Sequence, residues 1–469
     1  MSRVFLLCVS LLAVPSATIA QALAPSTTQR VDADVQAILA RTGAPSAVVA
    51  IIDHGRVVYR KAYGLRDHER KLAAAVDTHY EIGSITKQFT AAAILQLQEA
   101  GKLNIDDHLS KYLPEAPHAG EVTLRQMLSH TSGLPEYLDG RPDVETEATK
   151  PVTFAQLTAR IAGKPLDFAP GSKMTYNNTG YLFLGRIIEV VSRQSYRNYV
   201  RTHLLARAGM TQTHTVADES RLPNMAVGYR YTQGKLERAL PIHDSWGGAA
   251  GHLVSTIDDL EKWNQALTHG KIVSPESYTA MTSPAKTAQG ESDYGLGLFV
   301  DSVQDQPRIG HTGGSFGFTT ANEFFPKQNV RVIAFTNLRA NPEPGEMITT
   351  AVFDDLFPDV AAAAFRPAPG EDANVTSKAK ELFAQMQGDG KNSSLFAAKL
   401  DAKMKNGLAQ RLVEQFAPYG TPTQFVYKGS RPDSGLRWYD YVIEFGPGSE
   451  LKLSVGLDDE MKIASFSYG

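Results

Sequence analysis

One apolar helix constrains the fold more than any other segment. Residues 84–101, SITKQFTAAAILQLQEAG, predict a helix whose interior from Ala91 to Leu97 is apolar on nearly every side except at Gln96. Gly101 is a natural residue to end it, because glycine readily takes the left-handed conformation that closes helices. A helix that is apolar all round has to be covered on all its faces. The sequence therefore predicts a large domain packed around this helix.

Strand patterns occur on both sides of this helix in the chain. Two apolar, β-branched runs at 46–53 and 56–63 lie around the sequence DHG and predict a hairpin. After a mainly helical region, residues 308–325 and 330–337 return to strand character. Strands at both ends with helices between them are typical of an α+β domain whose terminal segments share one sheet.

An alanine- and proline-rich stretch divides the chain. Residues 359–373, DVAAAAFRPAPGEDA, carry no helical or strand period and predict a linker. Before it, residues 23–358 form the predicted main domain. After it, residues 374–469 combine helical patterns with a strand meander, and they predict a small α+β domain of unknown role.

The first 22 residues, MSRVFLLCVSLLAVPSATIAQA, predict a signal peptide. Arg3 supplies the positive start, residues 4–14 an apolar segment too short to span a bilayer, and small residues follow. The expected location is periplasmic or secreted. Cys8 is the only cysteine of the chain and lies in this segment. The mature protein would therefore have no disulfide, cysteine nucleophile or thiolate metal site.

Charge and histidine spacing exclude several functions. With 47 basic and 50 acidic residues, the net charge is −3, so no basic face for nucleic acid is predicted. The twelve histidines are scattered and no H-E-x-x-H occurs, so we expect no metal and no cofactor. No segment beyond the signal peptide is apolar enough to cross a membrane.

Ser84 and Lys87 form an S-x-x-K motif at the start of the apolar helix. Positions i and i+3 share a helical face, so the amine can reach the hydroxyl. A serine needs an adjacent base to act as a nucleophile, and a lysine serves once burial keeps it neutral. The same spacing recurs at Ser283, Ser377 and Ser449, but only Ser84 combines a preceding glycine with a buried helix that follows it.

Two further motifs lie downstream. Tyr176-Asn177-Asn178 follows a Pro-Gly turn, and its Y-x-N spacing offers a phenol to relay a proton and an amide to orient a substrate. The same spelling at 196–198 lies in a polar helical stretch and is interpreted as surface.

The third motif, His311-Thr312-Gly313-Gly314, lies on a predicted strand. Its glycines let a substrate backbone approach the strand edge.

In this order the three motifs resemble the serine β-lactamase and penicillin-binding protein superfamily. The resemblance is strongest to its class C-like branch, which includes D-alanyl-D-alanine carboxypeptidases, D-aminopeptidases and β-lactamase-like esterases. It covers residues 31–357, and the stretches LSHTSGL at 128–134, GGAAG at 247–251 and YGLG at 294–297 also look like that branch.

The resemblance implies a role for each motif. Ser84 would be the acylated nucleophile, and Lys87 and Tyr176 would share the general base and acid steps. Asn178, His311, Thr312 and Gly313 would contact the substrate. The backbone N–H groups of Ser84 and Gly314 would form the oxyanion hole.

His311 departs from the family pattern, because β-lactamases usually carry lysine there, and this weakens the case for β-lactamase activity. An ordinary histidine is mostly neutral at about pH 7, so we expect carboxylate-bearing substrates to bind better as the pH falls toward about 6.

The predicted function is a serine hydrolase that cleaves amide or ester bonds of a peptide or small molecule. The alternative is a catalytically idle penicillin-binding-like sensor or binding protein. The oligomeric state is left open.

One other serine motif requires attention. Residues 313–317 spell G-x-S-x-G around Ser315, which resembles the nucleophile elbow of α/β-hydrolases. That fold places its histidine after the serine in chain order. No histidine follows His311 in this chain, so Ser315 is not the predicted nucleophile.

Overall fold

The computed structural model describes residues 22–138, 144–232, 234–388 and 393–468. Of the predicted signal peptide, residues 1–21 lie outside this range, and Cys8 with them. In the part of the chain that is described, no helix is both long and apolar enough to cross a membrane.

The helices and strands follow each other in chain order. The helices are α1 Pro25–Thr42, α2 Thr86–Glu99, α3 Leu124–Leu128, α4 Val144–Glu147, α5 Phe154–Ala159, α6 Asn178–Ser192, α7 Tyr196–Tyr199, α8 Ala206–Ala208, α9 Asp244–Gly251, α10 Ile257–Thr268, α11 Pro275–Met281, α12 Pro344–Leu356, α13 Pro358–Ala364, α14 Ala373–Gln387, α15 Ala398–Lys403 and α16 Ala409–Phe416. The strands are β1 Ser46–Asp53, β2 Arg56–Asp67, β3 Leu72–Ala73, β4 Tyr80–Glu81, β5 His214–Thr215, β6 Tyr229–Thr232, β7 Lys235–Arg238, β8 Leu253–Ser255, β9 Lys286–Thr287, β10 Gly290–Glu291, β11 Phe299–Val303, β12 Gln306–Gly314, β13 Thr319–Phe325, β14 Val330–Thr336, β15 Leu338–Arg339, β16 Gln424–Asp433, β17 Leu436–Glu444, β18 Glu450–Leu457 and β19 Ile463–Tyr468.

The main sheet joins the two ends of the first domain. Its strand order is β11-β12-β13-β14-β1-β2-β3, so β1 pairs with β14 on one side and β2 on the other. The turn between β1 and β2 contains His54 and Gly55, both at positive φ, as a tight two-residue hairpin turn requires. The predicted α+β fold with a sheet shared by terminal segments is confirmed.

The alternation of β1 side chains separates two apolar layers. Val48, Ala50 and Ile52 face the layer that contains α2 and the helical region. Ala47, Val49 and Ile51 face the opposite layer, formed with α1 and α12. Because side chains alternate across a strand, one buried strand serves both layers. Helix α2 lies inside the first layer, and its residues 86–97 are all buried.

The tail has its own apolar core beneath the four-stranded sheet β16-β17-β18-β19. It also contacts the first domain: the Arg41 guanidinium donates hydrogen bonds to the carbonyls of Phe445 at 2.6 Å and Pro447 at 2.7 Å. The stretch predicted to be a patternless linker contains α13, Pro358–Ala364. Its alanines favour helix, and Pro358 occupies the first helical turn, where proline is tolerated.

Candidate active site

Ser84 sits where a 3₁₀ turn, Gly83–Ile85, runs directly into α2. Gly83 has φ +49°, and a Cβ there would lie 2.7 Å from the Gly314 carbonyl oxygen. Only glycine allows the turn to come this close to the end of β12. Ser84, the predicted nucleophile, therefore lies directly against the strand whose backbone is the predicted oxyanion partner.

Lys87 is fully buried, one helical turn after Ser84. Its Nζ donates to Ser84 Oγ at 3.0 Å, to Asn178 Oδ1 at 2.9 Å and to the Ala250 carbonyl at 2.8 Å. All three acceptors are uncharged. Burial lowers the pKa of Lys87 to about 7, with Glu136 opposing that shift. A lysine in this environment can be a neutral base at physiological pH.

Tyr176 places its phenol beside these two residues. The Lys87 Nζ lies 4.7 Å from the centre of the Tyr176 ring. The Tyr176 hydroxyl is buried and has no hydrogen-bond partner among the described residues. Burial raises the pKa of Tyr176, and the neighbouring Ser84 hydroxyl lowers it in part. The phenol therefore stays protonated at neutral pH and can give a proton to a leaving group.

The Asn178 amide is engaged at both ends. Its Oδ1 accepts from Lys87, and its Nδ2 donates to Glu136 Oε2 at 3.2 Å. Asn178 begins α6, and the side chain of the preceding Asn177 caps the helix by accepting from the Gly180 N–H at 2.9 Å. Asn178 lines the cleft as predicted for a substrate contact, while its amide also holds Lys87.

His311 is 2% exposed although it borders the cleft. Its Nε2 lies 2.8 Å from the Tyr294 hydroxyl and its Nδ1 2.5 Å from the Thr312 carbonyl. Burial, followed by the charge of Lys87, lowers the pKa of His311 to about 3. The expectation that His311 gains charge as the pH falls toward about 6 is therefore wrong, because a buried imidazole beside a second base stays neutral there.

The rest of the third motif fixes how β12 packs against the turn that carries Ser84. A Cβ at Gly313 would lie 2.1 Å from the Ile82 carbonyl oxygen. Gly314 borders the cleft beside the Arg339 guanidinium, whose Nη1 would be 2.0 Å from a Cβ there. Gly313 is thus required by close packing of the strand against the backbone of the Ser84 turn, whereas the neighbour of Gly314 is the movable end of the Arg339 side chain.

These residues surround one cleft of about 510 Å³. Ser84, Tyr176, Asn178, His311, Thr312 and Gly314 all line it. Its apolar wall consists of Leu138, Ile242, Phe299 and Phe316. Among the described residues, no group of three or more acidic, histidine or cysteine side chains is arranged to hold a metal ion.

Sequence reasoning missed several groups at this site. Glu136 gives no local signal, because its partner Asn178 lies 42 positions away in the chain. Arg339 and Glu343 line the cleft and pair at 2.7 Å. Tyr196, interpreted as surface, instead lies 2.7 Å from the Thr90 hydroxyl and contacts α2.

Comparisons with known proteins agree on one family. The family model described as Beta-lactamase matches residues 31–357. Protein flp of Staphylococcus aureus (strain MRSA252) is 28% identical over 328 residues, which cover 67% of this chain and 64% of that protein. The chain thus spans less than two thirds of that relative's length.

Solved structures extend the likeness. A D-stereospecific amidohydrolase from Streptomyces sp. is 26% identical with a TM-score of 0.58, covering 66% of this chain and 94% of that one. The octameric penicillin-binding protein homologue from Pyrococcus abyssi is 23% identical with a TM-score of 0.63, covering 94% of this chain and 99% of that one. The second likeness is one of fold, and it extends into the tail.

Proposed function

Because this chain belongs to the beta-lactamase family, we propose that it is a hydrolase that cleaves amide or ester bonds through an acyl-enzyme on Ser84. One observation carries the proposal: the fully buried Lys87 amine lies 3.0 Å from the Ser84 hydroxyl and has only uncharged acceptors around it. A lysine held in this way costs stability, because its amine is removed from water. An apolar residue would pack at this position at least as well, so the lysine points to a chemical role.

In acylation, Ser84 Oγ attacks the substrate carbonyl carbon while its proton passes to neutral Lys87 Nζ. The carbonyl oxygen becomes an oxyanion, which the backbone N–H groups of Ser84 and Gly314 would stabilise. The carbon–nitrogen or carbon–oxygen bond then breaks, and the leaving atom takes a proton through Tyr176 or Lys87. In deacylation, water attacks the ester, loses its proton to the same pair, and releases the acid with Ser84 restored.

The cleft favours uncharged or amine-bearing substrates over carboxylates at the β12 side. His311 is neutral there, and Arg339 is already paired with Glu343. Amides of D-amino acids are the first class to test, since the Streptomyces relative is a D-stereospecific amidohydrolase. Simple esters and β-lactams are the competing classes. We further propose that residues 1–22 direct the protein to the periplasm or outside the cell.

The experiment is covalent labelling of Ser84 with a fluorophosphonate, located by peptide mass spectrometry, with Ser84→Ala and Ser315→Ala as a matched pair. Labelling should vanish in Ser84→Ala and persist in Ser315→Ala. An adduct on Ser315 would overturn the assignment. The labelled enzyme is then compared on p-nitrophenyl acetate, nitrocefin, a D-Ala-D-Ala peptide and a D-amino acid amide. Labelling without turnover of any of them would favour the idle sensor.

A further inference from the structure

The loop after α3 is joined to the N-terminus of α6 by hydrogen bonds on both sides of Glu136. Asn177 Nδ2 donates to the Leu134 carbonyl, two residues before Glu136, at 2.8 Å. The Thr179 hydroxyl donates to the Pro135 carbonyl at 2.7 Å and accepts from the Tyr137 N–H at 3.0 Å. These contacts hold the backbone of Glu136 in one place relative to the helix.

The Glu136 carboxylate is hydrogen-bonded to both the backbone and the side chain of Asn178. Its Oε2 accepts from the Asn178 N–H at 2.7 Å and from Nδ2 at 3.2 Å, and its Oε1 accepts from the Leu138 N–H at 3.0 Å. The first residue of a helix also offers the positive end of the helix dipole, which favours a carboxylate. Asn178 lines the cleft, whereas Glu136 is not among the described residues that do. Glu136 therefore contacts Asn178 without lining the cleft itself.

This arrangement decides which way the Asn178 amide points. Because Nδ2 is held by a carboxylate that can only accept, Oδ1 is the atom turned toward Lys87, and it accepts from Lys87 Nζ at 2.9 Å. We propose that Glu136 is a positioning residue that orients the Lys87 amine through Asn178 and supplies the negative charge that balances its protonation. This inference rests on the proposed function, in which Lys87 takes the proton of Ser84.

Few charged side chains lie around Lys87 and Glu136. Four titratable side chains adjoin Lys87 and stay uncharged at neutral pH: Tyr176, Tyr181, His130 and His311. Glu136 faces Lys87, Tyr176 and Tyr137. Burial raises the pKa of Glu136, while backbone N–H groups and Lys87 oppose that rise. Among the described groups, Glu136 is thus the carboxylate whose charge acts on Lys87.

The test is the rate of fluorophosphonate labelling of Ser84 as a function of pH, which requires no natural substrate. Glu136→Gln keeps an oxygen for Asn178 but removes the charge. Without that charge, Lys87 should lose its proton at lower pH, and the acidic limb of the rate profile should move down by about one pH unit. Glu136→Asp keeps the charge but shortens the reach, so its limb should stay near the wild-type position while the plateau rate falls.

The matched control is Glu121→Gln, which removes the same charge from an exposed carboxylate hydrogen-bonded to His118. Its pH profile should overlay that of the wild type. An unmoved limb in Glu136→Gln, or an equal shift in Glu121→Gln, would overturn the inference. If Glu136→Gln does not fold, a limb in Glu136→Asp displaced as far as one pH unit would overturn it as well. Absence of any Ser84 adduct in the wild type would instead reject the proposed function itself.

Discussion

Arg308 and Lys87 are both buried cations of the first domain, but their surroundings differ completely. Arg308 donates to both carboxylate oxygens of Asp301 at 2.9 and 2.8 Å, and to Glu323 and Glu346 at 2.8 and 2.9 Å. Lys87 donates only to uncharged oxygens. Burial lowers the pKa of both, but the carboxylates around Arg308 outweigh burial and raise it overall.

The difference separates a structural cation from a chemical one. A buried charge that is fully paired stays charged, and its removal leaves its partners buried without compensation. A buried amine with neutral acceptors is held near its titration point, which is what a general base requires. The charge of the hydrogen-bond partners, more than burial itself, therefore distinguishes these two cations.

The largest effect should follow removal of the Lys87 amine. Lys87→Met should slow labelling of Ser84 by about 10²- to 10⁴-fold, the usual contribution of a positioned base. Its unfolding temperature should be no lower than that of the wild type, because a desolvated amine is removed and its acceptors border the cleft, where water reaches them. Lys87→Arg should also be slow, since a guanidinium stays protonated. Near-normal labelling in either variant would refute the lysine mechanism.

Arg308→Met should show the opposite pattern. It leaves three carboxylates unpaired and should cost about 3–5 kcal/mol in the free energy of unfolding, measured by urea denaturation. Ser84 in the folded fraction should still be labelled. The control is Arg125→Met, which breaks an exposed pair with Asp106 at 2.6 and 2.9 Å and should cost less than about 1 kcal/mol. An equal loss in the free energy of unfolding in both variants would show that the buried Arg308 pairs contribute no more to stability than the exposed Arg125 pair.

The two cations should also differ in titration: Lys87 should lose its proton near neutral pH, whereas Arg308, whose pKa is raised, should stay charged. Labelling should rise as the pH increases through about 7, where Lys87 loses its proton. In the unfolded chain a lysine keeps its proton up to about 10.4, so the unfolded state binds more protons between these values. Wild-type stability should therefore gain up to about 1.4 kcal/mol per pH unit in this window relative to Lys87→Met. Parallel urea midpoints for the two proteins at about pH 7 and 9 would contradict the neutral Lys87.

The smallest effect concerns His311, a buried base that stays neutral. Since its pKa is about 3, the change in KM of an anionic and of a neutral substrate between about pH 6 and 8.5 should be the same in the wild type and in His311→Gln, whatever Lys87 contributes as it titrates. Steady-state kinetics on one substrate of each kind decides this. A selective improvement for the anionic substrate toward low pH that disappears in His311→Gln would mean that His311 is charged after all.

The sequence predicted what depends on local spacing. The S-x-x-K and Y-x-N motifs and the period of α2 point to Ser84, Lys87 and Tyr176 as the site residues, and the structure brings these three together. The sharing of one sheet by the two ends of the domain followed from strand patterns at both ends, although β3 and β11 were not predicted. Each signal lies within a few consecutive residues, where geometry links positions that are close in the chain.

What was missed depends on tertiary contacts or on irregular strands. The link from Glu136 to Lys87 exists only once the loop after α3 meets α6. Strand β16 was not predicted, because Gly429 forms a bulge at φ +138° and Pro432 interrupts its pattern. Such features obey no period, so only the folded partners reveal them.

The pairing of β1 with β14 also sets an order of events during synthesis. Ala47 pairs with Thr336, a partner 289 positions later in the chain. At translation rates of about 5–20 residues per second, β1 waits on the order of 15–60 s for the strand that completes the sheet. Helix α2, with Ser84 at its start, is made early but gains the β12 side of its cleft only near the end. The cleft around Ser84 is thus completed late, after nearly all of its domain has been made.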